Sequence, residues 1–370
     1  MVRRTERGVR KWSPAVVAAA GRWSLPAVLL VAIAAPAAAQ SLRIDPSNPG
    51  IYQSAPAAVL DLGTRFLRRI EDETGNGGTT TRNPDGGGAP AEEVQRRFRT
   101  WAEAYGLHSH LSDTHGLPGD SRRTWGLVAG LAYTVAPGAT LGFAVDQGWT
   151  DVDVNGLPQS GRINLIQFGV NASFELGAWT LGLAAIHGRG DIETRNATSF
   201  FMGVPGVARA DYEARLWGAI GEAGYYIPLG DARLIPKLGF DWQHTETDGF
   251  TETGIPNPVT VAAQSGWRVR GFAGFEVGRS FASHAAVLDL AAYARAVEIL
   301  AQELPVATVS GGGAPPATFQ GLSESRFGMD AGASASLRLS ELIRLYLLYD
   351  GRFRGNFQSH AGTAGLELRW

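Results

Sequence analysis

After residue 97 the chain alternates with a period of two. Trp125, Leu127, Ala129, Leu131, Tyr133 and Val135 are interleaved with Gly126, Val128, Gly130 and Thr134. The same rhythm carries Leu141, Phe143, Val145 and Trp149, then Ile166, Phe168, Val170 and Phe174. It returns in Leu234, Leu238, Phe240 and Trp242, and in Trp267, Val269, Ala273, Phe275 and Val277. The final residues repeat it, with Gly362, Ala364, Leu366, Leu368 and Trp370 set against Thr363, Gly365, Glu367 and Arg369. Period two places successive side chains on opposite faces of a strand. One face of each segment is bulky and apolar, and the other is polar or glycine. No stretch after residue 40 is apolar over the length of a transmembrane helix. Such strands can bury their apolar face against a second sheet, as in a soluble sandwich, or against lipid, with the polar face lining a lumen.

Connection lengths separate these two solutions. Twelve strand segments fit between residues 98 and 370. Tight turns at 137–138, 177–178, 229–231, 280–285 and 340–341 alternate with the longer connections 108–124, 150–162, 190–211, 246–264 and 300–324, and with a short one at 355–357. Short turns on one side and long loops on the other are the pattern of an outer-membrane barrel, as is an even strand number. Trp125, Trp149, Trp179, Trp242, Trp267 and Trp370 fall at or near segment ends, where an interfacial aromatic girdle belongs. The sequence therefore predicts an all-β membrane protein, a twelve-stranded antiparallel transmembrane β-barrel over residues 97–370.

The N-terminal part reads differently. Arg3, Arg4, Arg7, Arg10, Lys11 and Arg22 precede an apolar run at 25–35 and the small residues Ala37, Ala38 and Ala39. This is a signal peptide over 1–39, with cleavage expected after Ala39. Residues 40–54 are polar and read as a short unstructured mature N-terminus. Over 55–73, Val59, Leu62, Phe66 and Ile70 recur at helical spacing, with Ser54 as a cap and Pro56 in the first turn. Arg65, Arg68 and Arg69 crowd its last turns, where cations suit the helix dipole. About 18 residues make a helix roughly 27 Å long, enough to cross a bilayer core. The expectation is an amphipathic helix threaded through the barrel lumen, its arginines touching charged walls. Residues 74–96 are a Gly/Pro-rich linker. The chain has no cysteine, so disulfides and thiolate metal sites are excluded. Its only lysines are Lys11 and Lys237, and no basic run after residue 40 suggests nucleic acid.

Four segments resemble the β-domain of autotransporters, the type V secretion family. Trp101-Ala-Glu-Ala-Tyr-Gly106 is similar to its first strand and Trp217-Gly-Ala-Ile-Gly-Glu-Ala-Gly-Tyr225 to its sixth. Thr247-Asp-Gly-Phe-Thr-Glu252 resembles the loop after its seventh strand, and residues 349–370 closely resemble its last hairpin. The resemblance covers about residues 97–370 and the helical stretch before them. It implies an outer-membrane translocator of a Gram-negative bacterium with a helix in the pore. It also implies insertion by the outer-membrane barrel assembly machinery, with periplasmic chaperones on the way and no partner chain in a monomeric barrel. That machinery would read the C-terminal strand, through Leu366, Leu368 and Trp370. Family members carry a large N-terminal passenger, whereas only residues 40–54 stand before this helix, too few to bury a core. Some family members cleave themselves at an Asn pair in the helix, and this helix has no asparagine.

No catalytic, metal or cofactor site is expected. Gly332-Ala-Ser334-Ala-Ser336 lacks the closing glycine and the strand-to-helix context of a nucleophile elbow. Glu222, Asp241, Arg268, Arg270, Glu276, Asp350 and Arg352 fall on lumenal positions and carry both signs. Their expected role is a structural network that holds the helix. The alternative function is surface adhesion or binding through the long loops.

Overall fold

The computed structural model describes residues 50–75, 97–114, 116–199, 205–283, 286–311 and 314–370. The expected signal peptide, its cleavage site, residues 40–49 and the linker over 76–96 lie outside them. In chain order the elements are α1 (Gly50–Gly75), β1 (Phe98–Leu111), β2 (Asp120–Ala136), β3 (Ala139–Val154), β4 (Gln159–Leu176), β5 (Trp179–Ser199) and β6 (Pro205–Tyr225). Then come β7 (Ile227–Leu229), β8 (Ala232–Thr247), β9 (Phe250–Thr251), β10 (Val259–Val261), β11 (Gln264–Ala282) and β12 (Val287–Glu303). The last are β13 (Val306–Gly311), β14 (Ala314–Gln320), β15 (Phe327–Arg338), β16 (Ile343–Arg354) and β17 (Phe357–Arg369).

Twelve strands form one antiparallel sheet in the order β11-β12-β15-β16-β17-β1-β2-β3-β4-β5-β6-β8, and β8 pairs again with β11. The sheet is thereby closed, with no strand edge left open, as a spanning structure requires. β7 extends the sheet by three residues at the turn before β8. The seam between the ends of the chain order is fully paired, from Arg99↔Arg369 to Leu111↔Phe357. The outward faces carry the predicted apolar rows. Leu127, Phe143, Val170, Leu238, Phe240, Phe275 and Leu347 are exposed there, as a lipid-facing surface must be. Aromatic residues frame this band at both ends. On the short-turn side Trp370 stacks on Phe98 at 5.0 Å and Trp179 meets Tyr225 at 4.9 Å. On the loop side Trp125 stacks on Trp149 at 4.0 Å, with Trp217, Trp242 and Trp267 further round.

Two features of the loop side differ from the expectation. The connection read at 190–211 is mostly strand, because β5 and β6 stay paired from Trp179↔Tyr225 out to Ser199↔Pro205. Alternation continues through this stretch, but its outward residues are charged rather than apolar, which made it read as loop. The connections read at 246–264 and 300–324 are not separate loops either. They contribute β9, β10, β13 and β14, which join in a second sheet of order β14-β13-β10-β9 over the barrel mouth. The strands of this sheet are only two to seven residues long, too short for a periodic signal to stand out.

The helix begins earlier than its sequence signals. Residues 50–54 form its first turns, and Pro56 lies inside it. Proline lacks the N–H that would bond the carbonyl four residues back. That carbonyl belongs to Tyr52, and it accepts instead a 3.2 Å bond from the Gln264 side chain on β11. A tertiary contact thus repairs what the local rule forbids.

Candidate functional site

The helix lies inside the barrel. Ile51, Ala55, Val59, Leu67 and Ile70 are fully inaccessible, and its polar residues Gln53, Ser54, Thr64 and Glu71 are equally buried. One face is apolar and joins the lumenal side chains of β3 to β6, including Val152, Leu165, Ile186 and Leu216, in a single cluster. Contact there is close. A Cβ on Gly63 of the helix would overlap Leu216, and one on Gly182 of β5 would overlap the Glu71 carboxylate. Glycine at these two places sets how near the helix and wall can come.

The opposite face is charged and meets β1, β2, β8 and β15 to β17. Arg69 donates from Nε to Glu103 Oε2 at 2.6 Å and pairs with the same carboxylate a second time. Tyr346 donates to Glu103 at 2.6 Å. Arg68 pairs with Asp330 and approaches Asp241 at 3.7 Å. Among the described residues Arg65 has no carboxylate within ion-pair distance. It donates to the Thr363 hydroxyl at 3.0 Å, and its guanidinium lies 5.0 Å from the Tyr105 ring centre. Asp61 accepts from Arg352 and lies 3.9 Å from Arg122. Buried charges are tolerable only when paired and hydrogen-bonded, and each carboxylate here has a cation against it.

The wall residues named from the sequence fall into two groups. Arg270 grips Asp241 with two bonds of 2.9 Å, and neither side chain is accessible. Arg268 donates to Glu324 at 2.9 Å and to Thr64 of the helix at 3.0 Å. Arg352 donates to Glu324 at 3.2 Å as well as to Asp61. Nearer the short turns, Lys237 lies 3.2 Å from Glu222 and 3.3 Å from Glu276, and Arg233 lies 3.4 Å from Glu276. Arg295 bridges the groups, 3.8 Å from Glu222 and 3.5 Å from Asp330. Asp350 stands apart from the arginines and accepts from Tyr293 at 2.6 Å. Sequence reasoning missed Asp61, Glu103, Glu324 and Asp330. Asp61 sits four and seven residues before Arg65 and Arg68, on the same helix face, and Glu103 and Asp330 occupy lumenal parity on their strands. Glu324 lies in an irregular connection with no periodicity to reveal it. Burial drives its carboxyl pKa upward, but Arg352, Arg268, Arg270 and Arg354 outweigh burial and hold it well below the usual carboxylate range.

At the loop-side mouth the helix start is clamped. The Ile51 N–H donates to Gln159 at 3.0 Å, Tyr52 donates to Glu252 beside β9, and Gln53 donates to the Gln320 carbonyl of β14. Tyr52 also packs on Phe250, which stacks on Tyr212 at 4.2 Å. The small outer sheet is therefore tied to the helix as well as to the barrel. A cavity of about 150 Å³ remains between the charged helix face and β11, β12, β15 and β16, lined by Arg65, Lys237, Tyr293, Ser334, Tyr346 and Asp350 among others. It is far too small for a polypeptide. Glu71, Asp72 and Glu222 bring carboxylate oxygens within 4.8 Å of one another, the one such group among the described residues. The Lys237 ammonium beside Glu222 already supplies its positive charge.

A closed twelve-stranded barrel plugged by its own N-terminal helix is a particular arrangement, and comparison with known proteins agrees with it. The solved translocator domain of the autotransporter NalP from Neisseria meningitidis matches over 86% of this chain and 99% of its own, at 16% identity and a TM-score of 0.66. The β-domain of the Bordetella autotransporter BrkA matches over 74% of this chain and 100% of its own, at 19% identity and a TM-score of 0.55. These likenesses concern the fold. No curated protein matches the sequence significantly. The sequence pattern of the autotransporter beta-domain matches residues 100–350, more than half of the chain. The chain therefore belongs to the autotransporter beta-domain family, whose members are outer-membrane barrels of Gram-negative bacteria.

Proposed function

We propose that this chain is an outer-membrane translocator whose helix is the tether between the barrel and whatever precedes Gly50. One observation carries the reading. The helix runs through the lumen with Gly50, Ile51 and Tyr52 at the mouth beneath the outer sheet, and with Ile70 and Glu71 against β4 and β5 near their short turn. The barrel begins and ends on the short-turn side, so the chain before Gly50 is presented on the other side. In an outer membrane that side is external. The segment after the cleaved signal peptide is then delivered to the cell surface, while the plug keeps the lumen shut. Supporting roles follow from the same reading: periplasmic chaperones keep the strands apart before insertion, the assembly machinery closes the β1–β17 seam, and lipid covers the outer face of a monomer. No catalytic step is assigned to the barrel. An epitope tag placed after Gln40 should be labelled by antibody on intact cells. A tag reached only after permeabilisation would overturn this orientation.

A further inference from the structure

The charged face of the helix borders two cavities that meet end to end. The larger, of about 150 Å³, follows the helix from Asp61 to Asp72. The smaller, of about 30 Å³, follows it from Gln53 to Leu60, toward the loop-side mouth. The larger one extends to the short-turn rim. Asp289 near the start of β12, Arg344 near the start of β16 and Ser336 near the end of β15 all line it. Ser334 and Ser336 on that wall are part-exposed, although they face the lumen. The smaller cavity extends to the loop-side end of β12, where Gln302 and the exposed Glu303 line it. The helix borders both cavities, so it does not itself separate them.

The boundary falls between Leu60 and Asp61, and an ion cluster stands there. Glu324 comes from residues 321–326, the irregular connection between β14 and β15. It accepts from Arg268 of β11 at 2.9 Å and from Arg352 of β16 at 3.2 Å. Arg352 also donates to Asp61 of the helix, and Arg122 of β2 lies 3.9 Å from the same carboxylate. Arg122, Arg268 and Glu324 line the smaller cavity, and Asp61 and Arg352 line the larger. Glu324 is also held from behind. Asn356, in the turn before β17, accepts from the Ser325 N–H at 2.6 Å and donates to the Ser323 carbonyl at 2.9 Å. We propose that this cluster is a gate. It closes a path for small ions that runs along the charged face while the helix stays in the lumen. Charged and hydroxyl groups line that path and stand in for part of an ion's hydration shell. The opposite face of the helix, packed on Leu165, Ile186 and Leu216, is apolar and offers no such substitute. The gate depends on the buried helix and not on which side receives the chain before Gly50.

The test is single-channel recording of the whole chain in planar bilayers. Glu324→Ala with Arg352→Ala removes both partners of one pair, and Asp61 keeps Arg122 nearby. This variant should conduct severalfold more than wild type, and less than a chain lacking residues 41–75. The chain has no cysteine, so a single one marks the route. Added to the double variant, Ser334→Cys in the larger cavity should let a charged methanethiosulfonate reagent block most of the current. Ala184→Cys, in the apolar cluster on the other side of the helix, should leave the current unblocked. Glu324→Gln keeps the shape of the side chain and loses its charge. It should give briefer openings blocked through the same Ser334→Cys, and it decides the matter if the double variant does not insert. Wild-type conductance in the inserted variants, or block through Ala184→Cys, would overturn the proposal. Conductance equal to that of the deletion would overturn it too, because the helix would then have left the lumen.

Discussion

Arg270 and Asp241 carry the plug at the scale of single residues. The pair is inaccessible and doubly bonded, and Arg68 of the helix leans on the same carboxylate at 3.7 Å. Removing one partner of a buried pair strands the other, at a cost of about 3–5 kcal/mol, whereas removing both often costs little. Arg270→Met should therefore lower the temperature at which the unheated, fast-migrating form is lost on a gel, and Arg270→Met with Asp241→Leu should regain much of it. Equal losses would mean that the two side chains are not coupled. Glu324 adds a pH dependence. Four arginines depress its carboxyl pKa in the folded state, so the stability it gives is complete above the unfolded value of about 4.3. It fades only as pH falls below that toward the folded value. Glu324→Gln should be less stable than wild type at pH 7 and by the same margin at pH 5, with the margin closing only below about pH 4. A margin that closes between pH 6 and 5 would show that the arginines do not hold this carboxylate ionised.

At the scale of elements, the helix closes the pore. Deleting residues 41–75 should raise single-channel conductance in planar bilayers severalfold, because the helix fills the lumen between the two walls it packs against. Unchanged conductance would mean that the helix leaves the lumen in a membrane. The outer sheet supports the helix start, so Phe250→Ala, which removes the ring between Tyr52 and Tyr212, should give flickering openings without unfolding the barrel. How legible each element was follows from the length of its signal. The barrel strands were readable because lipid demands an uninterrupted apolar row, as in Leu127, Ala129 and Leu131. The helix was readable in its middle, where Val59, Leu62 and Phe66 repeat, but not at its start. There the Gln264 side chain rescues Pro56 from 208 residues away in sequence, and no local rule can see that. The outer sheet was invisible for a similar reason, since β10 is held by β9 and β13 rather than by a periodicity of its own. Lumenal charges could be assigned by parity, but their partners could not. Arg65 and Asp350 ended on hydroxyl groups, and Glu324 came from an irregular stretch.

The molecule as a whole becomes a barrel only when β17 meets β1. In the finished structure the seam aligns Leu366 with Ala102 and Leu368 with Thr100, and Trp370 exchanges backbone bonds of 2.9 and 3.0 Å with Phe98 while stacking on its ring. Leu366, Leu368 and Trp370 all face outward and are exposed. Before closure the edge of β17 is unpaired, and an unpaired edge can bind another strand by augmentation. We propose that the assembly machinery takes this edge, with the three outward side chains as the apolar row it recognises. Changing Leu366 and Leu368 to Arg places charge on the lipid face, at about 2–4 kcal/mol each near the midplane and less toward the interface. Deleting Trp370 removes the interfacial anchor and one ladder position. Both variants should be exported, fail to insert, and be degraded in the periplasm. Arg369→Ala is the control. Arg369 donates to Glu367 at 2.7 Å inside the lumen, but Glu367 keeps Arg344 at 2.6 Å and Arg99 at 3.5 Å, so the carboxylate stays paired and insertion should be nearly normal. Outer-membrane fractionation, with protease added to intact cells, measures all three. Wild-type amounts of the Trp370 deletion and of the double Arg variant in that fraction would show that neither the outward row nor its terminal anchor guides assembly.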